Sequence, residues 1–347
     1  MGNTALVILI TILVLSVVFD FINGFHDTAN AIATVVATRV LTPLQAILMA
    51  ASLNFAGALT GTAVAKTISQ GLIDPALATQ QLIIAALIAA IIWNLITWYY
   101  GIPSSSSHAL IGSIVGAAIA EKGSLDAPKW AALFEKVILP LIISPVVGFA
   151  FALVLMLLML RLFIHRTPSE VHHLFGRLQV ISSAFMAFSH GSNDAQKTMG
   201  VMTLAVITYE YQGVKHIPVP PGMLAKMPIP LWIMMTAATA MALGTAVGGW
   251  RVIKTMGHKL TRLTSIHGFA AETAAASVIT VASHLGFPLS TTHVISSAIL
   301  GVGASRRASA VRWNVAGSIL TAWILTIPAC MFVAGVVFRI IHLLMPG

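Results

Sequence analysis

Apolar windows of membrane-spanning length recur along this chain, at roughly 4–22, 43–65, 79–100, 137–163, 230–250 and 313–338. Set among them are short polar segments: NGFHDTAN at 23–30, GIPSSSSH at 101–108, GSNDAQK at 191–197 and GFPLSTTH at 286–293. A carboxylate or amide at membrane depth is costly unless it is paired, hydrated or used. The pattern therefore predicts an all-α polytopic membrane protein whose polar interruptions carry its chemistry. The first window has no basic n-region and no small-residue cleavage site, so it reads as a span and not as a signal peptide.

The hydroxyl-rich segments each follow a proline, Pro103 or Pro288. Proline disfavours helix at the residue before it and is well placed at a helix start. Residues 104–120 and 289–304 are thus predicted to be half-helices or re-entrant hairpins. The segments around Asp27 and Asp194 are predicted to be breaks inside spans, of the kind found in transporters with discontinuous helices.

The order of motifs is the same in both halves, which points to duplication. The first repeat is placed at 1–160 and the second at 179–347, joined by a short charged cytoplasmic linker at 161–178. The second repeat is longer between its motifs, and the Pro- and Gly-rich stretch near 209–230 accounts for this as an exposed loop.

Composition agrees with the pattern. Of the residues, 58% are hydrophobic and only 8% charged, with a mean hydropathy of +0.93; about a quarter are charged in a soluble domain. The net charge of +9 does not point to nucleic acid. Its bases cluster as Arg161, Arg166 and Arg177; Arg251, Lys254, Lys259 and Arg262; and Arg306, Arg307 and Arg312. That is a positive-inside pattern, placing all three loops on the cytoplasmic side. The single Cys330 excludes a disulfide framework.

Helical spacing brings Asp20, Asn23 and Asp27 close to one face, and likewise Asn23, Asp27 and Asn30. In the second segment Asp194 takes the place of Asp27, Asn193 that of His26 and Lys197 that of Asn30. Such oxygens are hard ligands that suit Na⁺ or hold a proton. Asp20, Asn23, Asp27 and Asp194 are therefore expected to couple a cation, with Na⁺ at Asn23, Asp27, Asp194 and Glu272. Glu272 is read either as a ligand of the coupling ion or as the partner of a buried base. Ser104, Ser105, Ser106 and Ser107, with Ser290, Thr291 and Thr292, lie where helices begin. Hydroxyls and open helix-start amides bind a tetrahedral oxyanion, although one hydroxyl suffices for a cap. Lys197 would neutralise a carboxylate or the anion. His108 and His293 lack partners with metal-site spacing. There is neither a G-x-S-x-G elbow nor a P-loop, so the chain reads as a transporter and not as an enzyme.

At GFHDTANA (24–31) and GSNDAQKT (191–198), with PSSSSH and PLSTTH, the sequence resembles the inorganic phosphate transporter (PiT) family, whose duplicated signature centres on Gly-x-Asn-Asp. His26 stands where that signature commonly has Asn. The resemblance implies two inverted repeats, with discontinuous helices and about 10–12 membrane segments, in a multi-pass protein of the bacterial inner membrane. It implies import of phosphate by Na⁺ or H⁺ symport through alternating access, with no other cofactor. It also puts Asp27 and Asp194 in the cation and phosphate region, and Asn30, Asn193 and both hydroxyl clusters near phosphate. The expected partners are phosphate, the cation, the lipid bilayer, a second copy in a dimer and a PhoU-like accessory protein. A sulfate permease of the same fold and a passive anion channel are the alternatives. Divalent-cation–phosphate complexes are a further candidate cargo.

Overall fold

The computed structural model describes residues 2–73, 77–220, 223 and 227–344. These form helices throughout, and the helices fall into two matching series. The first series is α1 (Gly2–Ala37), α2 (Pro43–Ala58), α3 (Ala63–Gly71), α4 (Gln80–Tyr100), α5 (Ser106–Lys122) and α6 (Trp130–Leu162). The second is α7 (Pro168–Thr208), α8 (Leu231–Val247), α9 (Trp250–Lys254), α10 (Ser265–His284), α11 (Thr291–Ala304) and α12 (Trp313–Leu344). Among the described residues, four helices are long and apolar enough to cross a membrane unaided: α1, α4, α6 and α12. The pairs α2–α3 and α8–α9 are broken spans, bent by 69° and 61°. Helices α7 and α10 are more polar because much of their length, in α7 chiefly from Ser182 onward, is buried against other helices.

Each repeat is completed by the other. Helix α1 packs on α8 and α7 on α2, while α5 packs on α12 and α11 on α6. Glycines permit the approach. A Cβ at Gly24 would lie 2.4 Å from the Met241 carbonyl oxygen, and one at Gly191 would lie 2.2 Å from that of Asn54. In lipid no hydrophobic force drives helices together, so such close backbone packing carries the association.

The half-helices form as the Pro-Ser pattern predicts. Left-handed Gly101 (φ 64°) and Gly286 (φ 76°) end α4 and the turn after α10, and extended segments lead to the N-caps Ser105 and Ser290. Each cap oxygen accepts from the amide of His108 or His293 at 3.2 Å. The breaks expected at 23–30 and 191–197 do not occur, because α1 and α7 run through them without interruption. Their side chains find partners on neighbouring helices, so the backbone can keep its own ladder closed. The discontinuities lie instead between α2 and α3, between α8 and α9, and ahead of α5 and α11.

Two connections also differ from expectation. The link between the repeats is only 163–167; Pro168 onward is already α7. Thr167 and Glu170 cap that helix reciprocally, and the Thr167 amide donates to Glu170 at 2.9 Å. Hydrogen bonding from the Thr167 backbone, and then from its hydroxyl, holds the Glu170 carboxyl below its usual pKa. In the expected loop at 209–230, a π-helical turn over Tyr209–Val214 continues α7; residues 221–222 and 224–226 lie outside the described residues.

The ends of the bundle differ in charge. One end gathers the start of α7, the start of α10 and the end of α1, as shown by His172 facing Ser265 (3.5 Å) and Thr38 donating to Gln179 (2.9 Å). It carries Arg39, Arg166, Arg177, Arg262, Arg306, Arg307 and Arg312 against Glu170. At the other end Thr79 donates to Glu121 (2.9 Å), and Gln80 donates to the Ala5 carbonyl (3.3 Å). There Lys122, Lys136 and Lys215 are mixed with Glu121, Asp126, Glu135 and Glu210.

Candidate functional site

The polar motifs converge where the repeats meet. Helix α1 presents Asp27 and Asn30, α7 presents Asp194 and Lys197, and the first turns of α5 and α11 face them. All of these side chains are buried. The two half-sites are built alike. Ser106 Oγ donates to Asp27 Oδ2 at 3.0 Å, and Thr291 Oγ1 donates to Asp194 Oδ2 at 3.1 Å. Each half then reaches into the other. Asn30 Nδ2 donates to Thr291 (3.2 Å) and Thr292 (2.9 Å), while Lys197 Nζ donates to Ser107. Lys197 also bonds Asp194 and the Leu289 carbonyl, the latter at 2.9 Å. A buried ammonium this close to a carboxylate offsets its charge.

Histidines supply an outer frame. His26 Nδ1 donates to Asp27 Oδ1 at 2.6 Å, and its Nε2 lies 3.1 Å from Thr97 Oγ1. A carboxylate can only accept, which assigns the proton to Nδ1. Ser104 donates to Thr97 at 2.8 Å. On the other side His190 Nε2 sits 3.3 Å from Asp194 Oδ2, and its Nδ1 sits 3.1 Å from Asn54 Oδ1. Donor atoms of Asp27, His190 and Asp194 all lie within 4.8 Å of one another. The two motif carboxylates, from different repeats, thus share one small volume.

The predicted residues divide between several roles. Ser105 and Ser290 spend their oxygens on capping. Ser106, Ser107, Thr291 and Thr292 face the acids, the lysine and Asn30, beside helix-start amides that intrahelical bonds leave open. Asn193 donates to Ser283 (2.8 Å) and to the Phe287 carbonyl (3.2 Å), bracing the turn that leads to α11. Its Oδ1 and that of Asn30 are buried without a partner among the described residues.

Asp20, Asn23 and Glu272 do not join this constellation through shared partners. Asp20 lies towards the N-terminal side on α1 and is bordered by Asn23 and Thr198. Both Asp20 carboxylate oxygens, Asn23 Oδ1, Thr198 Oγ1 and Ser16 Oγ are buried without a hydrogen-bond partner among the described residues. Glu272 is held by Thr34, Ser182 and Gln179 (3.3 Å), so it ties α10 to both α1 and α7. The single Na⁺ set of Asn23, Asp27, Asp194 and Glu272 is therefore distributed over three surroundings. Sequence reasoning gave no role to His190, Thr97, Asn54, Gln179 or Ser182. For His190 a signal existed, because it stands four residues before Asp194 on one helical face.

The comparisons with known proteins agree with one another. Residues 23–170, and separately 163–334, match the family described as "Phosphate transporter family", one match for each repeat. A Rhizobium meliloti (strain 1021) protein named "Probable low-affinity inorganic phosphate transporter" is 44% identical, across 97% of this chain and 97% of the relative. A Bacillus subtilis (strain 168) protein of the same name is 44% identical, across 98% of each. A solved structure named "The sodium-dependent phosphate transporter" superimposes with a TM-score of 0.85 at 26% identity, covering 98% of this chain and 100% of that one.

Proposed function

Because the chain belongs to the phosphate transporter family, we propose that it imports inorganic phosphate across the cell membrane in symport with Na⁺. The names of its relatives favour phosphate over the sulfate reading. The observation that carries symport is a charge imbalance. In the site itself two buried carboxylates, Asp27 and Asp194, face one buried ammonium, Lys197, with the imidazoles of His26 and His190 beside them. Phosphate brings between about one and two further negative charges near neutral pH. An anion enters such a site only if cations enter with it.

The proposed phosphate seat lies between the starts of α5 and α11, against Ser106, Ser107, Thr291, Thr292, Asn30 and Lys197. The proposed Na⁺ seat is the Asp20 cluster, where the hard oxygens of Asp20, Asn23 and Thr198 gather in a buried place and suit an alkali cation. Likeness to a transporter named as sodium-dependent favours Na⁺ over H⁺. The Arg-rich end faces the cytoplasm by the positive-inside rule. The two repeats then move against each other around the shared site, exposing it alternately.

Coupling between two ligands is typically worth about 1–3 kcal/mol, or roughly 5- to 150-fold in affinity. Saturating Na⁺ is expected to tighten phosphate binding within that range, measured with radiolabelled phosphate on purified protein. Asp20→Asn should flatten the Na⁺ dependence while leaving Na⁺-free binding in place. Affinity of the wild type that ignores Na⁺, or an Asp20→Asn variant with unchanged Na⁺ dependence, would overturn the assignment.

A further inference from the structure

We infer that the chain carries a specific site for an anionic phospholipid at its Arg-rich end, with a headgroup pocket that shares no residue with the transport site. The headgroup would rest on Arg262, Arg306, Arg307 and Arg312, and one acyl chain would lie in the groove between α6 and α12.

The basic pocket is a cavity of about 660 Å³ formed by two loops, one before α10 and one between α11 and α12. The loops are clasped together. The Arg312 amide donates to the Leu260 carbonyl at 3.0 Å, and Thr261 Oγ1 donates to the Ala310 carbonyl at 3.2 Å. Leu260, Thr261 and Val311 are buried beneath it, so the four arginines stand on a fixed base. Among the described residues none of the four guanidiniums is in an ion pair. Four like charges around one cavity repel each other, and a phosphodiester with paired acceptor oxygens relieves that repulsion.

The fold does not require this charge. The matching place in the first repeat has the same clasp, with the Lys129 amide donating to Leu72 (3.1 Å) and Trp130 Nε1 to Leu125 (2.7 Å). Its second-repeat counterpart has Trp313 Nε1 donating to Ala308 at 2.9 Å. Yet the first-repeat loop holds Asp126 beside Lys122. One backbone design is thus used twice, and only one copy is given four arginines.

What distinguishes a lipid from a free anion is the neighbouring groove. It has a volume of about 710 Å³, and it begins at Leu260 and Trp313, the residues adjoining Thr261 and Arg312 in the basic pocket. Its walls are mostly apolar, with Val146 and Phe149 from α6 and Leu320 and Ile324 from α12, and with His108, His293, Ser296 and Ser297 also in its lining. The His293–Trp323 stack, at 3.7 Å, borders it. A basic mouth with an apolar corridor behind it, flanked by an interfacial Trp, matches the two ends of an anionic phospholipid. Gly317 lines the corridor, and a Cβ there would meet nothing within 4 Å. A side chain at this position therefore starts into the open space of the groove and not into a neighbouring helix.

Native mass spectrometry of the purified full chain, titrated with palmitoyl-oleoyl phosphatidylglycerol or the matching phosphatidylcholine, tests the inference. Each arginine near a charged headgroup is worth about 1 kcal/mol. The double variant Arg306→Gln/Arg307→Gln should therefore bind phosphatidylglycerol about 30-fold more weakly, with phosphatidylcholine unaffected. Gly317→Phe should weaken retention of phosphatidylglycerol with all four arginines intact. Equal binding of the two lipids by the wild type would overturn the site, as would indifference to the arginine variant. Insensitivity to Gly317→Phe, with displacement of phosphatidylglycerol by millimolar inorganic phosphate, would show a free-anion site and overturn the lipid assignment.

Discussion

Lys197→Met is expected to reduce phosphate uptake by two to three orders of magnitude while leaving a protein that still inserts and purifies. Lys197 is fully buried and donates to Asp194, to Ser107 in the other repeat and to the Leu289 carbonyl. Deleting one partner of a buried pair costs about 3–5 kcal/mol, because the other charge is left uncompensated. The same change severs a tie between the start of α5 and the segment leading to α11. Initial rates in proteoliposomes, normalised to reconstituted protein and checked by size-exclusion profile, measure the effect. Lys197→Arg keeps the charge but replaces a compact ammonium by a planar fork, and intermediate uptake is expected. Near-normal uptake by folded Lys197→Met would remove the lysine from the phosphate seat.

Asp27→Asn is expected to separate binding from coupling. The carboxylate accepts from Ser106 at 3.0 Å and from His26 at 2.6 Å, and hydrogen bonds to a charged group contribute about 1.5–3 kcal/mol each. The amide can replace only one acceptor and turns a donor towards the other. It also removes one of the negative charges that call for a cation. Gradient-driven accumulation should therefore fall by at least about a hundredfold. Phosphate binding without Na⁺ should persist, since a negative neighbour of the anion has been lost. Parallel uptake and binding measurements decide it. Intact accumulation, or loss of binding and accumulation together in a folded variant, would contradict this division.

Much of the architecture is legible because membrane proteins concentrate their information. Pro103 and Pro288 followed by hydroxyl runs predict helix starts, and Ser105 and Ser290 are the caps found there. The matched motifs predict the repeat, and the double family match falls on it. What could not be read is how the repeats interlock. The bonds from Asn30 to Thr291 and from Lys197 to Ser107 join positions far apart in the chain, and periodicity reports only on one helix at a time. For the same reason the polar runs at 23–30 and 191–197 look like breaks. Whether a buried polar helix must open depends on what its neighbours offer, and here Thr97, Thr291 and Asn54 supply partners from other helices. Hydropathy likewise passes over α10, whose Glu272 is satisfied by Thr34, Ser182 and Gln179.

The central claim is that phosphate crosses with Na⁺, and uptake of radiolabelled phosphate into proteoliposomes tests it most directly. Inward Na⁺ and proton gradients are imposed separately, with the other ion balanced. The account predicts accumulation above equilibrium under the Na⁺ gradient and its collapse when Na⁺ is equalised. Accumulation driven by the proton gradient alone, or downhill flux indifferent to both, would contradict it.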